Sequence, residues 1–161
     1  QATTTIGPEQ TAVELGGHLA ELGAQLLGQA LDDIEQGKAI LQAQDELRAT
    51  LAPKLKKADG IIDWLQPAER IYNRFRALQP WPGVHTRSGK TEVEITKIQI
   101  SDFKSQISDY GNVLETTNDG ITVQTGQGAV LIMRLKPAGK KEMSAREFVN
   151  GYRLKIGDKL G

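Results

Sequence analysis

The chain has 161 residues, no cysteine, and 20 basic against 20 acidic side chains. That length buries a real core but is short for two full domains. The missing cysteines exclude disulfides and thiolate metal sites and fit a reducing compartment, and no apolar run reaches a membrane span or forms a signal peptide.

The neutral total hides an asymmetry. Residues 1–47 carry one basic group, Lys38, against eight carboxylates, and residues 48–161 carry nineteen against twelve. An acidic head on a basic body is the pattern of a polyanion-binding face. The chain begins with Gln1 rather than methionine, and Ala2 to Ile6 read like the end of a strand, so a piece of a longer chain is expected. Thr11 and Glu14 form a capping box. Leu15, Leu19, Leu22 and Leu26 follow at helical spacing, and Gly37-Lys38 supply a stop, which predicts a helix over Ala12–Glu35. Gly16, Gly17, Gly23 and Gly28 each cost it about 1 kcal/mol relative to alanine. Such a helix is expected to pack closely against a sheet whose other strands lie elsewhere. Residues 38–66 have no sustained period and read as a linker. A second helix starts at Pro67 and must end before Pro80-Trp81-Pro82-Gly83.

From Val84 onward the texture is that of strands. Val93 and Ile95 alternate with polar residues, and Ile98 and Ile100 resume on the shifted phase, which places a bulge near Lys97. Asn118-Asp119-Gly120 is a hairpin signal between Val113-Leu114 and Ile121-Thr122-Val123. A further strand begins at Ala129. Four or more short strands with tight turns fit a small, nearly closed, OB-like barrel. Gly139-Lys140-Lys141 then leads into a capping box of Ser144 and Glu147, with Asn150-Gly151 read as a left-handed stop. Lysines at a helix N-terminus oppose its dipole, and two adjacent ones are read as aimed at an anion. Trp64 is expected in the core or at a domain junction, and Trp81 as a plug in the mouth of the barrel. His18 and His85 are read as surface histidines and Asp32-Asp33 as a solvated helix face. No phosphate-binding glycine motif or histidine-rich metal spacing is present.

Several stretches together resemble the bacterial methionyl-tRNA formyltransferase family. They are Thr11-Ala12, Leu19 to Ala24, Ala52-Pro53-Lys54-Leu55, Asp59 to Trp64, Arg76-Ala77 and Pro80 to Gly83. Gly120-Ile121, Thr125-Gly126, Gly139 to Met143 and Asn150-Gly151 complete the set. Leu51 stands where the family more often has an aromatic, and Tyr110 where a proline commonly precedes the glycine. The resemblance implies an α+β chain in three parts. Residues 1–37 would be a strand–helix remnant at the edge of a Rossmann-like formyltransferase domain. Residues 38–79 would be a helical linker. Residues 80–161 would be a mainly antiparallel OB-like domain with a short C-terminal helix.

The family's catalytic Asn, His and Asp would lie upstream of Gln1, so this segment is expected to hold no catalytic, cofactor or metal residue and to be inactive alone. The cosubstrate of the complete cytoplasmic enzyme would be 10-formyltetrahydrofolate. The implied partners are initiator Met-tRNA and the missing catalytic domain, with no membrane. The fragment is expected to be monomeric unless its first helix self-associates. Lys54, Lys56, Lys57, Arg74, Arg76, Lys140, Lys141, Arg146 and Arg153 are the expected tRNA-binding residues, converging on one face and neutralising phosphates. The alternatives are another formyltransferase relative, such as a formyltetrahydrofolate hydrolase or a sugar-amine formyltransferase, and a stand-alone OB-like interaction module.

Overall fold

Two capping boxes mark where the longest and the last helix start, and both form in the computed structural model, which describes residues 1–103 and 109–161. The chain divides into two units, Gln1–Leu55 and Lys56–Gly161. In the first, Thr11 Oγ1 accepts from the Glu14 N–H (3.4 Å) while Glu14 Oε2 accepts from the Thr11 N–H (2.8 Å), opening helix α1 over Ala12–Glu35. Gly37 ends it at φ +66°, and the Lys38 N–H reaches back to the Asp33 carbonyl. No α1 residue is buried. Leu15, Leu22 and Leu26 are half-buried, whereas Leu19, Leu27, Leu31 and Ile34 are exposed. Residues 2–6 form no strand with any described residue, because a strand is defined by the ladder it pairs with.

The second unit opens with a 3-10 turn at Lys57–Gly60, followed by α2 (Ala68–Ala77) and, among the described residues, six strands. These are β1 (Val84–Ser88), β2 (Thr91–Ser101), β3 (Val113–Thr116), β4 (Ile121–Gln124), β5 (Ala129–Pro137) and β6 (Met143–Ser144). Helix α3 spans Ala145–Tyr152. All pairings are antiparallel in the order β1-β2-β5-β4-β3, with β6 on β5. The architecture is therefore α+β. The register slips on both sides of Lys97, the expected bulge, and the Thr117 N–H to Gly120 carbonyl bond closes the Asn118-Asp119-Gly120 hairpin.

Two helices seal the sheet, α2 against β2 and β5, α3 against β5 and β6. Ile71 and Phe148 enter a core with Ile95, Ile121, Ile132 and Leu135, each worth about 1.5–3 kcal/mol of burial. The edge strands do not end in solvent along their whole length. Leu160 bridges to Ser88 beside β1, and Lys159 bridges to Asn112 beside β3. The Leu160 N–H donates to the Gly111 carbonyl (2.8 Å) and the Gly161 N–H to the Arg87 carbonyl (2.9 Å).

Trp64, 6% exposed, lies under this seam, its Nε1–H donating to Thr86 Oγ1 at 3.1 Å. The fit is close: a Cβ at Gly111 would overlap the Leu160 carbonyl, and at Gly111 or Gly161 it would crowd the indole at 3.2 Å. Trp81, expected as the plug, is instead 55% exposed. The indole fills the seam from residue 64 because Ile62 is hydrogen-bonded to the His85 carbonyl, which holds that segment along β1.

The end of α3 also differs from expectation. The helix runs through Asn150 and Gly151 and stops at Arg153, which adopts φ 55° and donates its N–H to the Val149 carbonyl. Phe148 stacks on Tyr152 with ring centroids 4.4 Å apart, and Leu154 is buried, so the last turn is held by packing beyond the glycine.

Candidate nucleic-acid interface

Gly139, at φ +72°, turns the chain from β5 toward β6, and the Lys140 N–H donates to the Pro137 carbonyl. Lys140 and Lys141 therefore stand exposed on a tight turn. On the other side, the Lys57–Gly60 turn is capped by Asp59, whose carboxylate accepts from the Lys56 N–H at 2.7 Å. Gly60 lets this turn lie against the Gly83 backbone, since a Cβ there would overlap the Gly83 carbonyl. The result is a cleft of about 250 Å³ bounded by Lys57 on one side and by Lys136 and the Pro137–Gly139 turn on the other.

Strand register sets the floor of the cleft. His85, Glu94 and Lys136 lie opposite one another on β1, β2 and β5, and Glu92 lies opposite Arg87. Lys57 Nζ pairs with Glu92 Oε1 at 2.9 Å, and Lys136 Nζ approaches Glu94 Oε2 at 3.8 Å. The hydrogen bond and charge of Lys57 hold the Glu92 carboxyl below the usual glutamate range, with His85 and Arg87 helping. His85, expected on the open surface, is half-buried, with Nε2 2.7 Å from the Pro82 carbonyl oxygen, because the Lys57–Gly60 turn folds over it. Next to the β5–β6 turn, Arg134 donates through Nε and Nη2 to Glu142 (3.0 and 2.8 Å), which lowers the Glu142 carboxyl.

The other expected residues distribute unevenly. Arg74 donates to the Asp59 carbonyl and so belongs with the turn that carries Lys57. Arg76 is half-buried, bonded to Asn73 Oδ1 at 2.6 Å and 5.7 Å above the Tyr72 ring, engaged with its own helix. Arg146 is exposed on the first turn of α3. The neighbours of Arg153, Tyr152 and Leu154, line a separate hollow with Ser88 and Gly89, at the opposite end of β1 from His85. Lys54 and Lys56 are exposed, Lys54 in the first unit. Among the described residues, Lys54, Lys56, Lys140, Lys141, Arg146 and Arg153 form no ion pair. Two basic residues join the site that the sequence did not single out for it, Lys136 and His85, and only strand register reveals them.

Among the described residues there is no cluster of three or more His, Asp or Glu able to hold a metal, and no helix long and apolar enough to cross a membrane. Within the cleft both lysines are paired with carboxylates, and the exposed Lys140 and Lys141 follow its Pro137–Gly139 wall in the chain.

Comparison with known proteins adds a lineage. Residues 54–153 match the family described as formyl transferase, C-terminal domain. The methionyl-tRNA formyltransferase of Solibacter usitatus is 44% identical over 98% of this chain and 50% of its own length. That of Moorella thermoacetica is 40% identical over 100% and 51%. The chain thus spans about half the length of the curated relatives it matches. A variant of HypX from Aquifex aeolicus has a similar fold, with a TM-score of 0.69 at 17% identity over 98% of this chain and 29% of that one. HypX in complex with tetrahydrofolic acid also aligns, with a TM-score of 0.58 at 18% identity over 84% of this chain and 24% of that one.

Proposed function

The chain belongs to the formyl transferase C-terminal domain family, and on that premise we propose that it is the tRNA-binding C-terminal part of a methionyl-tRNA formyltransferase. The complete cytoplasmic enzyme would transfer a formyl group from 10-formyltetrahydrofolate to the amino group of initiator Met-tRNA. In this reading residues 1–37 border the Rossmann-like catalytic domain, residues 38–79 are the linker and its helix, and residues 80–161 are an OB-like barrel. The bridges from Lys159 and Leu160 to the two edge strands support the barrel reading. The name shared by the relatives supports the substrate. Catalysis resides upstream, and this segment alone is inactive.

The observation that carries the proposal is the cleft lined by Lys57 and by Pro137–Gly139, the stretch that leads directly into the exposed Lys140 and Lys141. Exposed ammonium groups without carboxylate partners exchange counterions for phosphates, each contact adding about 0.7–0.9 to the slope of log affinity against log salt. Lys57 is restrained by Glu92, so the Lys140–Lys141 turn is the stronger phosphate ligand of the two rims. Such contacts fix the position of the tRNA body while the catalytic domain engages its acceptor end.

Binding of the chain to initiator and elongator methionine tRNAs across a salt series tests this reading. The Lys140→Ala/Lys141→Ala double variant is expected to lose affinity for both and to lower the salt slope by roughly 1.5. An unchanged slope and affinity would remove the cleft from the tRNA path.

A further inference from the structure

A second hollow, of about 430 Å³, opens from the cleft along β1 and shares Lys57, His85 and Glu92 with it. Its volume falls within the range of about 300–1,000 Å³ usual for small-ligand sites. The composition differs from that of the cleft. Ala58, Ile61 and Ile62 supply an aliphatic wall, and Arg87 lies on the β1 side. Ile61 is 62% exposed on this wall, beside the exposed ammonium of Lys57. Arg87 is exposed as well. Its cross-strand neighbour Glu92 is paired to Lys57, and Arg87 forms no ion pair with any described residue.

A backbone grip needs only the lysines. An apolar wall facing an available guanidinium, contiguous with a cationic cleft, suits a ligand that is flat and apolar at one end and anionic at the other. Unstacked bases in RNA stack on aromatic rings, His among them, or on Arg guanidinium planes, and extruded bases are held between aromatic or apolar side chains.

We propose that this hollow receives one unstacked nucleotide of the bound RNA, its base between Ile61 and Arg87 and its phosphate at Lys57, where the hollow joins the cleft. The proposal rests on the reading of this face as a tRNA grip and adds to it a subsite that distinguishes an unpaired nucleotide from duplex backbone.

Methyl-labelled chain titrated with four probes tests it: a single-stranded RNA pentanucleotide, an abasic ribose–phosphate chain of the same length, a blunt RNA duplex, and initiator tRNA. The pentanucleotide and the tRNA are expected to shift the Ala58 and Ile61 methyl resonances, and the abasic chain and the duplex to leave them unmoved. Ile61→Asn, neutral and at an exposed position, is expected to weaken pentanucleotide binding about tenfold through lost apolar burial while leaving the salt slope unchanged. Equal binding of the pentanucleotide and the abasic chain, or full affinity in Ile61→Asn, would overturn the subsite. If tRNA binds through Lys140 and Lys141 while the Ala58 and Ile61 methyls stay silent, the grip stands and the nucleotide subsite falls. If no probe binds at low salt, both fall.

Discussion

Arg153 ends α3 in the left-handed region, where an L side chain costs about 1–2 kcal/mol relative to the right-handed helix and glycine costs almost nothing. Arg153→Gly is therefore expected to stabilise the chain by roughly 0.5–1 kcal/mol, since the greater freedom of glycine when unfolded returns part of the gain; the urea midpoint reads it. A drop in tRNA affinity alongside the higher midpoint would show that the arginine is kept for its charge. At the other end of α3, the Glu147 carboxylate accepts from the Ser144 N–H and hydroxyl, both at 2.7 Å, which lowers its pKa from the ordinary 4.5. A carboxyl lowered in the folded state stabilises above its unfolded pKa and loses that contribution as pH falls through the folded one. The stability gap between the parent chain and Glu147→Gln should thus be constant at neutral pH and shrink below about pH 4.5, as paired denaturation series would show. A gap independent of pH would mean that the capping box contributes through its geometry alone.

At the scale of elements, what was legible in the sequence was what local chemistry decides. Thr11 with Glu14 and Ser144 with Glu147 start helices by bonds three residues long, and the phase shift across Lys97 is itself the bulge. What depends on distant packing was not legible. Gly151 looks like a stop, yet the Phe148–Tyr152 stack carries α3 past it. Strand β6 has two residues and leaves no alternation to read. The basic residues were visible as a composition bias, but the cleft exists only because antiparallel register sets His85, Glu94 and Lys136 in one row.

Helix α1 leaves open space at its glycines. A methyl group added at Gly16 or Gly23 would meet no heavy atom within 4 Å outside the helix's own backbone. Gly16→Ala and Gly23→Ala should therefore each stabilise the helix in this chain by about 1 kcal/mol, raising its helicity and slowing its amide exchange. In a complete enzyme whose sheet covers this helix, the same substitutions would be neutral or harmful. A destabilising effect in the isolated chain would mean that these glycines already serve a close contact here.

For the whole molecule, the seam governs integrity. Leu160 is 3% exposed between the two edge strands, and Leu160→Ala should cost about 2–5 kcal/mol while shifting Trp64 emission toward that of a solvated indole. A smaller loss with unchanged emission would show that the backbone bridges hold the edges without the side chain.

The seam also closes late. Strand β1 is made some seventy residues before Leu160, so both edges of the sheet exist as unpaired strands while the intervening chain is being synthesised. Until residues 159–161 leave the ribosome, those edges are open to pairing with other chains. A stalled or prematurely ended product would carry the lysine-bearing turn intact beside an unclosed sheet, prone to aggregate rather than to bind.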